Sequence, residues 1–411
     1  MRLILVLFLL THLFSCSTSE TSVTTGNWRG IIQLQGQELP MNFSISKNEN
    51  EGRYLVVIKN LEERITLDEV LIKDDSIIMF LHIFDTEIHA RISGEFMEGY
   101  YVKNYEKDFK LPFTATFGDT HRFVKNSESP EEDFSGKYSV NFIHDKDTTV
   151  AVGIFEQQGN QLSGTFLTPV GDYRFLEGNV IDGEMMLSTF DGNHAFLFKA
   201  RKLEDGSLKG DYWSGKEWHE TWSGARNELA ALPDEETLTY LKEGYDRIDF
   251  SFPDLEGKKI SPTDDQFKDK VLILQIFGTW CPNCMDETKF LSQWYNQNKD
   301  RGVAILGLAY EAKEDFTYAS GRVKKMKSKL KVPYHFVIAG TKDKKEAAKT
   351  LPMLNHVLAF PTTIFIGKDG QVKRIYTGFS GPGTGIYYEQ FVDRFNATVD
   401  ELLAEKLTSI Q

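Results

Sequence analysis

The sequence predicts a multidomain chain in which an all-β N-terminal half precedes an α/β domain. Three observations support this fold class. Between residues 27 and 226, short runs of alternating apolar and polar residues are separated by turn dipeptides, and proline is scarce. From residue 245 onward, apolar strands alternate with amphipathic helical segments. The length of 411 residues is enough for two or three domains.

The composition is that of a globular protein, with 41% hydrophobic and 26% charged residues. The net charge of −13 argues against a nucleic-acid partner, because phosphates would be repelled. No run of interleaved basic and aromatic residues suggests a nucleic-acid groove. A local basic run lies between residues 322 and 331, and we interpret it as a solvated helix face, with docking as the less favoured alternative.

The N-terminus has the pattern of an export signal. Arg2 precedes an apolar run at residues 3–10, which is too short to span a membrane. Leu13-Phe14-Ser15-Cys16 resembles a bacterial lipobox, which implies acylation of Cys16 and a lipid-anchored protein in the cell envelope. An ordinary signal peptide with an incidental cysteine is the alternative. Residues 1–16 are thus the predicted signal, and the Ser/Thr-rich residues 17–26 are a flexible tether.

The β-half contains an internal repeat of roughly a hundred residues. Two tandem antiparallel β-meanders or barrels are therefore predicted at residues 27–126 and 131–228, and one larger β-domain is the alternative. The aligned segments are Phe84-Asp85-Thr86 with Phe190-Asp191-Gly192, residues 92–96 with 208–212, and Phe117-Gly118 with Trp222-Ser223-Gly224.

Small barrels can hold a ligand, but side chains usually fill their interiors. We therefore assign the aromatic residues Tyr212, Trp213, Trp218 and Trp222 to core packing rather than to a pocket. The histidines show no metal-ligand spacing, so no metal site is predicted. Residues 229–244 carry acids early and Gly244 at the end, which predicts a linking helix. Residues 245–411 are expected to fold apart from the β-half.

The candidate reactive residues of the α/β domain follow a predicted strand. This strand is the apolar run at residues 271–277, and after it come a tight turn and Cys281-Pro282-Asn283-Cys284. Pro282 marks the first position of a helix. A cysteine at a helix N-terminus lies beside unpaired N–H groups, which favour the thiolate. Cys284, one turn later, is close enough to form a disulfide with Cys281, and such a pair exchanges electrons with other disulfides. With Cys16 as the third cysteine, none is left for a structural disulfide.

The remaining elements complete a mixed sheet with helices on both faces. Strands are predicted at residues 303–309, 334–338, 362–366 and 371–376, and helices at 314–330, 344–351 and 386–406.

The motif FGTWCPNCMDE resembles the thioredoxin superfamily, and more narrowly the TlpA/ResA/DsbE branch of membrane-tethered, extracytoplasmic thiol-disulfide oxidoreductases. Phe360-Pro361-Thr362-Thr363 resembles the cis-proline of that family and the strand after it, Lys368-Asp369-Gly370 its hairpin turn, and residues 250–257 its entry hairpin. Glu287 matches a glutamate that this branch carries near its active site. The resemblance covers residues 245–411 and implies a thioredoxin-like domain there.

The resemblance also implies a role for each matching residue. Cys281 would be the attacking nucleophile and Cys284 the resolving thiol. Glu287 would accept the proton of Cys284, because Gln275 stands where thioredoxins keep a buried aspartate. The other matching residues would shape the active site and hold an extended substrate strand: Trp280, Pro282, Phe360, Pro361 and Thr362.

By this resemblance, the protein would be a disulfide reductase on the periplasmic side of the cell envelope, with cytochrome c maturation as one setting. It would act on exported thiol or disulfide proteins, take electrons from a membrane donor, and need no cofactor beyond the Cys281–Cys284 disulfide. A disulfide isomerase or oxidase is the alternative among enzymes. A copper-handling chaperone using His356 and a ligand-binding lipoprotein are alternatives of other classes, although the CxxC spacing counts against the copper role.

Overall fold

The computed structural model describes residues 23–48, 52–125 and 130–405. It confirms the predicted fold class: two antiparallel, barrel-like β-sheets are followed by an α/β domain with a mixed sheet and four helices. The proposed signal at residues 1–16, with Cys16, lies outside the described residues, and so do residues 17–22 of the tether predicted at 17–26. The rest of that segment is not a tether: Val23 is buried, Thr24 O accepts a hydrogen bond from the Trp28 ring at 3.0 Å, and Gly26 begins the first strand.

The first nine strands form one antiparallel sheet, which we call the first barrel. The first strand pairs with the last, so that Trp28 lies opposite Phe117, and the sheet encloses a core of apolar side chains around Trp28, Phe43 and Phe113. The strands are β1 Gly26–Leu34, β2 Gln37–Asn48, β3 Arg53–Asn60, β4 Glu63–Leu67, β5 Val70–Lys73, β6 Ser76–Phe80, β7 Thr86–Ser93, β8 Phe96–Lys103 and β9 Lys110–Phe117.

The next nine strands form the second barrel. Its strands follow a similar meander, and an additional pairing between its second and third strands closes the sheet on itself. The strands are β10 Gly136–His144, β11 Asp147–Gln158, β12 Gln161–Thr168, β13 Gly171–Asp172, β14 Leu176–Ile181, β15 Glu184–Phe190, β16 Ala195–Lys202, β17 Leu208–Ser214 and β18 Trp218–Arg226.

The aromatic residues of the second barrel divide between core and surface. Tyr212 and Trp222 are buried among the aromatic core residues, as core packing requires. Trp213 is half-buried and packs against the core of the first barrel. The assignment of Trp218 to the core is wrong: it is 47% exposed and stacks on His144 at the surface.

The internal repeat is correct at one aligned segment and displaced at another. Phe84-Asp85-Thr86 and Phe190-Asp191-Gly192 both lie at the connections β6–β7 and β15–β16. Gly94, however, lies in a turn, whereas Gly210 lies within β17. The structural counterpart of Gly210 is Gly99 in β8, since a Cβ at either glycine would collide with a carbonyl oxygen of the preceding strand. The alignment of residues 92–96 with 208–212 is therefore wrong by five residues.

The predicted linking helix at residues 229–244 is wrong. This segment forms turns and extended chain. Its turns close through local bonds, such as Thr237 N to Asp234 O at 3.0 Å, and its extended part bonds to the loop around residues 353–355. Lys242 N donates to Met353 O at 2.8 Å, and Tyr240 N donates to the side chain of Asn355 at 3.0 Å. Because a short isolated helix is only marginally stable, these tertiary hydrogen bonds prevail over the local pattern.

The C-terminal domain has a five-stranded mixed sheet with the strand order β23-β22-β21-β24-β25. The pairings β23–β22 and β22–β21 are parallel, and the pairings β21–β24 and β24–β25 are antiparallel. A hairpin of β19 Phe252–Pro253 and β20 Lys259–Ile260 precedes it. The predicted strands and helices are all present, with ends shifted by a few residues. They are β21 Val271–Phe277, α1 Pro282–Asn298, β22 Val303–Glu311, α2 Phe316–Lys329, β23 His335–Thr341, α3 Lys344–Thr350, β24 Thr362–Ile366, β25 Val372–Thr377 and α4 Ile386–Ala404.

The interpretation of the basic run as a solvated helix face holds for Lys324 and Lys331, which are exposed. It is wrong for Lys325 and Lys329, which pair with the first barrel. Lys325 Nζ lies 2.7 Å from Glu69 of the first barrel, and Lys329 lies 2.5 Å from Asp68. Ile83 and Phe84 of the first barrel also belong to the apolar core of the C-terminal domain. The two halves of the chain therefore share both charged and apolar contacts.

Candidate active site

The two cysteines lie where β21 ends and α1 begins. Cys281 is the N-cap of α1, and its sulfur accepts a hydrogen bond from Cys284 N at 3.2 Å. Pro282 occupies the first helical position, where a missing N–H costs nothing. The cysteines form a disulfide with their Cα atoms 5.2 Å apart. In the reduced state, this helix N-terminus would stabilise a thiolate at Cys281.

The loop before β24 forms the other side of the site. The Phe360–Pro361 peptide bond is cis, and the carbonyl oxygen of Phe360 lies 3.4 Å from Cys281 Sγ. Trp280 packs edge-on against Phe360 and donates its ring N–H to Tyr310 O at 2.8 Å. Thr362 is buried and bonds to Ala359 O. The structure thus brings Trp280, Phe360 and Pro361 together around Cys281.

Glu287 is buried one helical turn beyond Cys284. Its carboxylate accepts hydrogen bonds from Gln275 Nε2 at 2.8 Å and Thr363 Oγ1 at 2.6 Å. Burial raises the pKa of this carboxyl to about 7, although both hydrogen bonds act to lower it. A group with this pKa can both accept and return a proton near neutral pH.

Gln275 orients Glu287 from the central strand. It lies in β21 with no exposed surface, and its side chain oxygen accepts a hydrogen bond from Tyr334 at 3.2 Å. This contact leaves the amide nitrogen facing Glu287, where it donates. The strand therefore contributes a neutral hydrogen-bond donor to a carboxylate that the helix supplies.

Glu311 is a second buried carboxyl at the site, and the sequence analysis missed it. It ends β22 and accepts hydrogen bonds from the backbone N–H and the hydroxyl of Thr279, at 2.9 and 2.7 Å. Burial raises its pKa to about 7. The available signal was a single glutamate at the end of an otherwise apolar strand. Its contacts fix the turn that carries Trp280.

Comparison with known proteins places this geometry in a family. The AhpC/TSA family matches residues 244–375. Thiol-disulfide oxidoreductase ResA of Bacillus thuringiensis subsp. konkukian is 35% identical over 31% of this chain and 66% of its own length, just under two thirds. ResA of Bacillus subtilis is 28% identical over 34% of this chain and 69% of its own length. The C-terminal domain is a TlpA/ResA/DsbE-like domain of the thioredoxin superfamily.

A solved structure, a thioredoxin family thiol:disulfide interchange protein from Chlorobium tepidum, is 21% identical and covers 40% of this chain and 99% of its own, with a TM-score of 0.31. A TM-score this low assigns no fold by itself.

The second barrel reaches the CxxC motif of this thioredoxin-like domain, which the sequence analysis did not predict. Asn283 Nδ2 donates to Asp172 O at 3.0 Å, and Asn193 Nδ2 donates to Trp280 O at 2.7 Å. The side chain of Arg174 forms an ion pair with Asp286 of α1, two residues after Cys284. No sequence pattern marks these residues, because each contact joins positions about ninety or more residues apart.

Two further features concern metal ions and membranes. Within the described ranges, no group of three or more His, Cys, Asp or Glu side chains could hold a metal ion. His356, the histidine considered for copper, bonds through its ring to Leu238 O at 2.9 Å. In that same part of the chain, no helix has both the length and the apolar character needed to cross a membrane.

Proposed function

We propose that this protein is a membrane-anchored disulfide reductase that acts on exported proteins through Cys281 and Cys284. The observation that carries the proposal is the position of Cys281 Sγ, at a helix N-terminus and 3.4 Å from the carbonyl oxygen before Pro361. This arrangement stabilises an attacking thiolate next to a backbone edge that can hold an extended substrate strand.

The exchange proceeds in two steps. The Cys281 thiolate attacks one sulfur of the client disulfide, the client S–S bond breaks, and the other client sulfur leaves as a thiolate that takes up a proton. Cys284 then loses its proton to Glu287 and attacks Cys281 Sγ, and the bond between Cys281 and the client breaks. The second client sulfur leaves as a thiolate and takes up a proton, and Glu287 returns its own proton to solvent. Two electrons pass from the dithiol to the client, and the two protons that the client takes up balance the one that Cys281 lost on ionising and the one that Cys284 lost. A membrane electron donor must reduce the Cys281–Cys284 disulfide again.

The buried carboxyl favours the reducing direction. A dithiol is a strong oxidant when its reduced form is stabilised, as happens when the thiolate is stabilised. Once ionised, Glu287 repels a thiolate at Cys284, one helical turn away, and so destabilises it. We therefore expect Glu287 to make the couple more reducing than the helix N-terminus alone would.

The reduction potential of the Cys281–Cys284 couple tests the direction. Equilibration of the full chain with dithiothreitol or glutathione buffers should give a value at or below about −250 mV, close to that of thioredoxin. Cys281→Ser is the control and should abolish exchange with a small disulfide. A value between about −180 and −120 mV would instead support an isomerase or oxidase.

The setting of the reaction is part of the proposal. The apolar run at residues 3–10 and Cys16 after it favour export and a lipid anchor. The resemblance of the CxxC and cis-proline motifs to the TlpA/ResA/DsbE branch favours a cell-envelope location and makes cytochrome c maturation one candidate setting. The partners would be exported thiol or disulfide proteins and a membrane electron donor.

A further inference from the structure

We propose that two loops of the second barrel form a cover over the dithiol, and that a protein disulfide reaches Cys281 only after this cover moves. The cover consists of residues 168–174 and 191–194. The inference rests on the proposed function, since it concerns access of clients to the same dithiol.

The first argument is burial. Cys281 is 5% exposed, Asn283 is 8% exposed, and both prolines that flank the exchange site are buried. Thiol-disulfide exchange requires one sulfur to approach another directly, so its rate depends on access to the attacking sulfur. A folded client cannot bring its disulfide to Cys281 in this arrangement.

The second argument is that the cover contacts both the CxxC motif and the segment that pairs with Pro361. On the CxxC side, Asn283 bonds to Asp172 O, and a Cβ at Gly171 would lie 2.6 Å from Asn283 Nδ2. On the cis-proline side, Gly378 N donates to Pro361 O at 3.0 Å, and a Cβ at Gly378 would lie 3.0 Å from Pro169 O. The loop thus also packs on the segment that pairs with Pro361, so it is anchored close to both halves of the site.

The third argument concerns what holds the cover in place. Arg174 is buried at its centre and forms ion pairs with Asp286 of α1, Glu63 of the first barrel and Asp191 of the second barrel. Farther out, α2 is held to the first barrel by the ion pairs of Lys325 and Lys329. When an ion pair separates, both charges become hydrated again, and this hydration offsets much of the attraction that is lost. A contact rich in ion pairs can therefore open at a lower free-energy cost than a purely apolar contact.

Small disulfides and proteins should therefore differ as substrates. A small aromatic disulfide needs only a local movement of one loop, whereas a folded protein needs the β-half to move away from the CxxC face. The cover would select clients by size and by their ability to displace it.

A wedge variant of the full chain tests this inference. A Cβ at Gly383 would lie 2.8–3.0 Å from backbone atoms of Arg174 and Phe175, which cannot rotate away, so Gly383→Leu should push the cover off the domain. Gly321→Leu is the matched control, because no atom of any other element lies within 4 Å of a Cβ there. The rates to compare are those of the reduced protein with oxidised insulin and with 5,5′-dithiobis(2-nitrobenzoate).

Gly383→Leu should raise the insulin rate by about tenfold or more, equivalent to about 1.4 kcal/mol in the opening equilibrium. Its rate with the small disulfide should stay within about threefold of the wild type, and Gly321→Leu should match the wild type with both. An unchanged insulin-to-small-disulfide ratio in Gly383→Leu would overturn the cover. A wild-type chain that fails to react with the small disulfide would instead refute the proposed function.

A second pair of variants decides the matter if Gly383→Leu does not fold. The double variant Lys325→Glu, Lys329→Glu places two new carboxylates next to Asp68 and Glu69. The resulting repulsion should raise the ratio of the insulin rate to the small-disulfide rate. Adding Asp68→Lys and Glu69→Lys restores opposite charges across the contact and should return the ratio to the wild-type value. A ratio that stays at the wild-type value in the charge-reversed protein contradicts the cover.

Discussion

Replacing Glu287 by glutamine should change both the thiol pKa values and the rate at which Cys284 resolves the mixed disulfide. Glu287 is buried, and burial raises the pKa of its carboxyl to about 7. Glutamine keeps the shape of the side chain and can still bond to Gln275 and Thr363, so the substitution removes charge and basicity with little change in packing.

The magnitude follows from the helix geometry. Side chains three positions apart, like those of Cys284 and Glu287, have Cβ atoms about 5–6 Å apart. At an effective dielectric constant of about 20, two charges about 6 Å apart interact by about 3 kcal/mol, or about two pKa units. Glu287→Gln should therefore lower the apparent thiol pKa values by up to about two units. Loss of a general base should slow resolution by about a hundredfold.

The assay separates these two effects. Ultraviolet absorbance of the thiolate against pH gives the apparent pKa values, which belong to the coupled groups together. Single-turnover release of a client from a trapped mixed disulfide gives the resolution rate. In the wild type this rate should inflect near pH 7, where Glu287 titrates, and the inflection should be absent in Glu287→Gln. Glu389→Gln, at an exposed position of α4, is the control.

The reasoning is refuted if the absorbance and rate curves of Glu287→Gln both superimpose on those of the wild type. The proton of Cys284 would then leave through water, and Glu287 would have no part in exchange. A lower thiol pKa with an unchanged resolution rate would retain the electrostatic effect and reject the role as a base.

Stability, buried charge and anchoring give three further predictions. Burial raises the pKa of Glu287 and Glu311 from 4.5 to about 7, so each adds stability that is complete below about pH 4.5 and is lost as the pH rises through 7. Urea denaturation should show a loss of about 3 kcal/mol per group over that range, and Glu311→Gln should reduce it; a pH-independent free energy would contradict this. Arg174→Leu leaves its buried carboxylate partners unpaired and should cost about 3–5 kcal/mol in the same assay, whereas a cost under about 1 kcal/mol would show that the pairs are exposed to solvent. Cys16→Ser should move the protein from the membrane fraction to the soluble fraction or block its processing, and unchanged membrane association would rule out the lipid anchor.

The C-terminal domain could be predicted from the sequence because its signals are local. A strand buried on both faces, such as β21, is a continuous apolar run, and Pro282 marks a helix start by its chemistry alone. Pro361 likewise marks the start of β24, because the apolar strand follows it directly. Glu287 was found because a family motif pointed to it, although its hydrogen-bond partners were not predicted.

The barrels were predicted as a class but not in register. Side chains in a strand alternate with a period of two, so several alignments of two meanders satisfy the same apolar pattern. The equivalence of Gly99 and Gly210 depends on close approach of a neighbouring strand, which the pattern does not contain. The segment at residues 229–244 was predicted as a helix for a related reason, since its hydrogen-bond partners lie more than a hundred residues away.

The repeated Phe-Asp motif links the barrels to the thioredoxin-like domain. In the first barrel, Asp85 accepts a hydrogen bond from Tyr318 OH at 2.8 Å and so contacts α2. In the second barrel, Asp191 accepts from Asn193 N at 2.9 Å, and this turn directs the Asn193 side chain to Trp280 O beside the dithiol. Equivalent loops of two similar barrels therefore make different contacts, one with α2 and one with the turn that carries the dithiol. The two loops also contact each other, because the Thr86 hydroxyl donates a hydrogen bond to Gly192 O. A displacement of the first barrel from α2 should therefore also shift the second-barrel loop that contacts the CxxC motif.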